Sequence, residues 1–212
     1  MEKDALEKVL QNHAVLFTKD LGCYNGPPVK FDVTKDAPFF KALPVPYALR
    51  SRVATALEKM QNDGVIKSVP TASSAAPIVP VEKKNNEVQL CGDFSVTFNA
   101  VAEEVSYPIP KIDDIHAALR GCKEFSVLDL SQAYHQIPIA KESQKHLVIN
   151  TMQGLFAFQR MPNGIHSGPA VFQRMLDTVL AGIRNVVCYI DDILVGGTDE
   201  QDQLRTLSLV FQ

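Results

Sequence analysis

Asp191 and Asp192 stand between two apolar runs, Val186-Val187-Cys188-Tyr189-Ile190 and Ile193-Leu194-Val195. Runs of this kind form buried strands, and a carboxylate among them is costly unless a cation or hydrogen bonds offset its charge. Two readings account for the pair. One is a hairpin turn, since aspartate tolerates turn geometry, and an Asp-Asp dipeptide taken alone is more often a turn than a metal site. The other is a divalent cation: Asp-Gly or Asn-Gly would turn the chain with less strain, so the second acid asks for a separate reason. Adjacent strand residues face opposite sides, and a tight turn is what lets both carboxylates serve one locus. Asp129 repeats the pattern by closing the apolar strand Phe125-Ser126-Val127-Leu128; a helix N-cap for the turn that follows explains it equally well. Brought together by an antiparallel sheet, the three acids could hold two Mg²⁺ ions roughly 3.5–4 Å apart, the arrangement used for in-line phosphoryl or nucleotidyl transfer. Spacing along the chain does not by itself establish that meeting.

The elements that must position these acids are readable from periodicity. Ala5, Leu6, Val9 and Leu10 repeat at helical spacing, with Phe17 near the end of the segment and Gly22 beyond it. Val29, Phe31 and Val33 alternate as in a strand within a proline-rich stretch from Pro27 to Pro46. A helix from about Tyr47 through Val53, Leu57 and Met60 closes at Gly64. Pro77–Val81, the turn Lys83-Lys84-Asn85-Asn86 and Val88–Phe94 read as a β-hairpin with lysines at its tip. Next come a short helix from Ile112 to Leu119 and a buried strand over Phe125–Leu130. Strands at His146–Thr151 and Leu155–Arg160 follow, then a helix opened by Gly168-Pro169, and a last helix capped by Thr198 or Asp199. Without regular βαβ alternation, this mixture predicts an α+β fold on an antiparallel sheet.

At 212 residues, with 46% apolar and 21% charged, the chain can bury a full core as one large or two small domains. No run approaches the ~20 apolar residues of a membrane-spanning helix, and the start Met1-Glu2-Lys3-Asp4 does not resemble a signal peptide, so a soluble intracellular protein is expected, with no membrane partner. Cys23, Cys91, Cys122 and Cys188 are scattered without a C-x-x-C or Cys/His cluster, which predicts reduced, mostly buried thiols instead of a zinc site or a disulfide framework. The net charge of −3 lacks the basic footprint usual in a protein that grips nucleic acid. Cations cluster only locally, at Arg50 and Arg52, Lys83-Lys84, and Lys141 to Lys145.

Three segments in order, Val127-Leu-Asp-Leu-Ser-Gln-Ala-Tyr-His-Gln136, Met161-Pro-Asn-Gly-Ile-His-Ser-Gly-Pro-Ala-Val-Phe-Gln-Arg174 and Tyr189-Ile-Asp-Asp192, resemble the palm motifs of reverse transcriptases of gypsy-type long-terminal-repeat retrotransposons. The likeness extends upstream through Val45–Arg50, Gly64–Ile66, Pro77–Val81, Leu90–Phe94 and Tyr107–Pro110. It implies a right-hand polymerase with an N-terminal extension over 1–43, fingers over 44–108 and a palm over 109–212. The thumb, ribonuclease H and integrase regions of a full Pol polyprotein are expected outside this chain.

The resemblance further implies that Asp129, Asp191 and Asp192 are catalytic and bind Mg²⁺, with Mn²⁺ as an alternative. Lys83, Lys84, Gln89, Leu130, Tyr134 and Asn163 would meet the deoxynucleoside triphosphate, and Gly164, Gln173 and Tyr189 the template or primer. A ring at Tyr134 beneath the sugar would clash with a 2′-hydroxyl and so select deoxynucleotides. The chain departs from the pattern at Gln89, where relatives carry an arginine that contacts the triphosphate, at Ser95, which replaces another arginine, and at Asn163, where gypsy-type elements commonly have phenylalanine. Loss of a bidentate cation at 89 should weaken nucleotide binding. The implied function is RNA-directed DNA polymerase acting on an RNA or DNA template with primer. The alternatives are a decayed or domesticated copy that binds without chemistry and, less in keeping with Tyr134 and the lysine-tipped hairpin, a metal-dependent nuclease.

Overall fold

The computed structural model describes residues 2–83 and 87–212, so Lys84 and the rest of the hairpin turn at 84–86 lie outside the described residues. In chain order the elements are α1 (Glu2–Asn12), α2 (Tyr47–Asn62), β1 (Ile66–Val69), β2 (Ala76–Glu82), β3 (Val88–Gly92), α3 (Ile112–Ala118), β4 (Glu124–Asp129), α4 (Lys141–Gln144), β5 (Val148–Thr151), β6 (Gly154–Phe158), α5 (Gly168–Val179), β7 (Val186–Tyr189), β8 (Asp192–Gly197) and α6 (Glu200–Val210). Single 3₁₀ turns occur at Ala14–Phe17, Phe94–Val96, Phe98–Ala100 and Ala133–Gln136.

These elements form two compact units, one made of Met1–Asp20, Ser106–Ser131 and Pro169–Gln212, the other of Leu21–Val105 and Gln132–Gly168. The chain therefore does not divide once. Residues 132–168 return to the second unit because β5 and β6 pair there with β2 and β1, whereas the expected division ran unbroken over 109–212.

The second unit is built on a five-stranded sheet in the order β1-β6-β5-β2-β3. Its pairings are antiparallel except between β2 and β5, where Ala76 and Ile149 meet in parallel. Phe94, Phe98 and Phe158 are buried and meet edge to face, with Phe31 against Phe98. Helix α2 buries Val53 and Leu57. It ends where expected, with Gly64 at φ +68°, a left-handed position that costs a residue without Cβ little.

The strand expected over Val29–Val33 forms only isolated bridges, Val29 with Ile139 and Val33 with Ala102. Between them, buried Phe31 exchanges both of its backbone hydrogen bonds with one side chain: Ser143 Oγ accepts from Phe31 N at 2.9 Å and donates to Phe31 O at 3.1 Å. A hydroxyl thus replaces a strand partner at this point.

In the first unit, an antiparallel three-stranded sheet has the order β4-β8-β7. Ile193, Val195 and Cys188 point to its buried side. The expectation that β4 is buried throughout is corrected here: Phe125 and Val127 are 56% and 63% exposed. Side chains alternate along a strand, and this side of β4 has no covering element among the described residues. Asp199 caps α6 by accepting from Asp202 N at 2.9 Å. Helix α1 packs on α6, and His13 and Phe17 meet Phe211 beside it. Of the cysteines only Cys188 is buried, while Cys23 is exposed and Cys91 and Cys122 are half-buried, so the expectation of mostly buried thiols fails.

Candidate active site

The register of the three-stranded sheet brings the acids together. Asp129, the last residue of β4, pairs directly with Asp192, the first of β8. Directly opposed residues of an antiparallel pair present their side chains on one face, Cβ atoms about 5 Å apart. Asp191 precedes Asp192 in the two-residue turn Ile190-Asp191, which joins β7 to β8 and is closed by the pair Tyr189–Asp192. Leu130 N donates to Asp191 O at 3.4 Å and so draws the turn toward the end of β4.

All three aspartates are exposed. The Asp191 carboxyl is held above its ordinary range, first by desolvation and then by the charges of Asp129 and Asp192, so the carboxylates sense one another. Among the described residues no three His, Cys, Asp or Glu side chains are drawn together as a ready metal cage. Asp129 and Asp192 are cross-strand partners and Asp191 adjoins them in the turn, an open set. That suits Mg²⁺ better than it suits a structural metal, because Mg²⁺ takes oxygen ligands, keeps several waters and is held by one or two carboxylates plus substrate phosphates.

The turn itself is strained. Ile190 has φ +56°, a conformation unfavourable for a β-branched residue and costing on the order of 1–3 kcal/mol. A positive φ at the first central residue and not at the second is the pattern of a II′ turn, where glycine is usual. Gln173, on α5, holds this backbone. Its Oε1 accepts from Ile190 N at 3.1 Å, and its Nε2 donates to Cys188 O at 2.9 Å and to Asp177 Oδ1 at 3.0 Å. The side chain is completely buried. This is a different task from the template or primer contact expected of it. Burial pushes the Cys188 thiol up to about 12, so that sulfur stays protonated beside the turn.

Tyr189 lies on the face of Asp192 and is 40% exposed beside the carboxylates, and Leu130 is half-buried at the end of β4. The other expected residues belong to the second unit. Exposed Lys83 pairs its backbone N with Glu87 O at 2.8 Å, Gln89 sits on β3 opposite Val81, and Lys84 is outside the described residues. Tyr134 lies in the 3₁₀ turn after Gln132, with its ring beside Gly168. Asn163 is half-buried, and Gly164 has φ +90°, where a side chain would be strained, with a virtual Cβ in tight contact at 3.3 Å from Gly92 O.

The sequence reading missed Asn99, which pins this loop by donating to Gly164 O at 2.8 Å and accepting from His166 N at 3.1 Å. Nothing local marks it, since the partners are over sixty residues away in the chain. Asp177 was missed too, although its i,i+4 spacing from Gln173 was a readable signal.

Residues 88–212 match the family model described as reverse transcriptase (RNA-dependent DNA polymerase). Along its whole length the chain is 35% identical to the uncharacterized protein K02A2.6 of Caenorhabditis elegans, of which it covers 17%. It is 34% identical, over 84% of its length, to 18% of the retrovirus-related Pol polyprotein from transposon opus of Drosophila melanogaster. The chain thus spans under a fifth of the length of these relatives. Among solved structures, the foamy viral protease-reverse transcriptase in complex with an RNA/DNA hybrid superposes with a TM-score of 0.89 at 23% identity, covering 99% of this chain and 29% of that one. The foamy viral protease-reverse transcriptase dRH in complex with double-stranded DNA gives 0.88 at 24%, over 99% and 38%. The α+β fold is therefore that of polymerase fingers and palm.

Proposed function

Because the chain belongs to the reverse transcriptase (RNA-dependent DNA polymerase) family, we propose that it is the fingers and palm of an RNA-directed DNA polymerase, adding deoxynucleotides to a primer 3′-hydroxyl on an RNA or DNA template. The observation that carries this reading is the pairing of Asp129 with Asp192 beside Asp191 at one end of the palm sheet. Divalent ions bound there would lower the barrier to attack by the hydroxyl and neutralise charge on the leaving phosphate. Asp129, Asp191 and Asp192 supply the oxygen ligands, and their mutual repulsion is what a cation would relieve.

Tyr189, beside those carboxylates, supports the primer end, and the backbone at Leu130 borders the nucleotide. Tyr134 lies under the sugar and excludes a 2′-hydroxyl; Lys83 and Lys84 hold the triphosphate. Gly164 and Asn163, in the loop pinned by Asn99, border the template and the incoming nucleotide. The remaining Pol regions complete the grip on the duplex.

Primer extension with Mg²⁺, in the presence of the thumb of a related polymerase, tests the assignment. Asp191→Asn should reduce incorporation roughly 10³-fold, the loss expected when a metal ligand that stabilises transition-state charge is removed. Incorporation equal to the parent would reject it. A second reading, a fold that binds nucleic acid without turnover, is favoured by Gln89, a neutral side chain where the resemblance implies an arginine. Tight Mn²⁺-dependent binding of a deoxynucleoside triphosphate would contradict that second reading.

A further inference from the structure

We infer that Gln173 is a positioning residue for the metal-binding aspartates, clamping the Ile190-Asp191 turn in its left-handed conformation from inside the palm. The inference rests on the metal-site reading above and deepens it. Gln173 touches none of the three carboxylates in the hydrogen bonds it makes; it acts on the backbone on either side of Tyr189.

The amide orientation follows from chemistry. Ile190 N–H can only donate, so the carbonyl end of Gln173 must face it, while Cys188 O and the Asp177 carboxylate can only accept, so the NH₂ end must face them. A flipped amide would lose all three bonds. The Asp177 carboxylate also holds the half-buried Tyr107 hydroxyl protonated. A chain of hydrogen bonds therefore runs from Asp177 through Gln173 to the residue before Asp191. All of its members lie in the first unit.

Two features make this more than core packing. First, Ile190 adopts positive φ without glycine or asparagine to ease it, so the conformation must be imposed from outside the residue. Second, Gln173 supplies the partner for Ile190 N–H, the one turn amide between β7 and Asp191. Release of that bond frees the turn to relax and carries the Asp191 carboxylate away from Asp129 and Asp192. Partners that orient metal ligands typically contribute 10–100-fold in metal affinity.

Titration of the purified chain with Mn²⁺, followed by electron paramagnetic resonance, reads this directly. Gln173→Leu should weaken Mn²⁺ binding at least roughly tenfold. Adding Ile190→Gly, which adopts positive φ without strain, should recover most of that loss in the double variant. A merely structural role would leave the double variant as weak as the single one, and that result, or parent-like affinity in a folded Gln173→Leu, would overturn the inference. Asp191→Asn separates the two levels: parent-like Mn²⁺ binding in that variant would sink the metal reading beneath. Should Gln173→Leu fail to fold, hydrogen exchange on the unaltered chain decides. The Ile190 amide should be protected like the amides of β8, and exchange at the rate of an unbonded turn amide would overturn the clamp.

Discussion

Burial sets the titration of His135, whose ring is pushed down to about 4 against the opposing pull of Asp63. The ring is neutral in the folded chain at neutral pH, with Nδ1 near Gln132 Oε1 at 3.4 Å. Its folded value lies below the unfolded one, so acid is taken up first by the unfolded chain. The stability this ring contributes is complete above about pH 6.5 and is lost as the pH falls toward 4, by roughly 2 kcal/mol after allowance for solvent near a half-buried ring. Denaturant unfolding at pH 7 and pH 5 should show that loss in the parent and a flatter response in His135→Gln; equal slopes would refute it. Asp191 has the opposite sign: its raised value is a contribution present below the ordinary aspartate range and lost as the pH rises through the folded value. The aspartates were readable as chemistry because acids among apolar runs are anomalous in any context. Gln173 and Asn99 were not readable, since a glutamine in a helix and an asparagine in a turn are ordinary until burial and partners are known.

Element by element, what was legible followed periodicity and turn chemistry. Helix α2 with its Gly64 stop, the hairpin of β2 and β3, and the pair β5 and β6 around Gly154 have their local signals inside the segment itself. The stretch 29–33 misled because alternation reports which side chains face the core and not what the backbone bonds to. At Phe31 the partner is Ser143, 112 residues away. Ser143→Ala would leave a buried N–H and C=O unsatisfied, so unfolding measurements should find a loss of about 1–3 kcal/mol. No loss would mean that the hydroxyl is dispensable. Strand β4 misled in the other direction, since its apolar residues face outward as well as inward and composition cannot distinguish the two.

The whole molecule carries a net charge of −3, and affinity for nucleic acid comes largely from neutralised phosphates. Fluorescence anisotropy should therefore place this 212-residue chain alone in the non-specific range on a primer-template, roughly 10⁻⁴–10⁻⁶ M at physiological salt, with log affinity falling linearly in log salt. Nanomolar binding at that salt would show a basic surface that the composition does not suggest. No helix among the described residues is long and apolar enough to cross a membrane. Sequence alone determined the family-bearing motifs, the identities of the three acids and most helices and hairpins, because these depend on residue type and on spacing within a turn or two. Tertiary structure decided the rest: the assignment of residues 132–168 to the same unit as 21–105, the pairing of Asp129 with Asp192, and the burial of Gln173 against a strained Ile190. Each of these joins residues far apart in the chain, and it is strand register and packing, not local preference, that sets which of them meet.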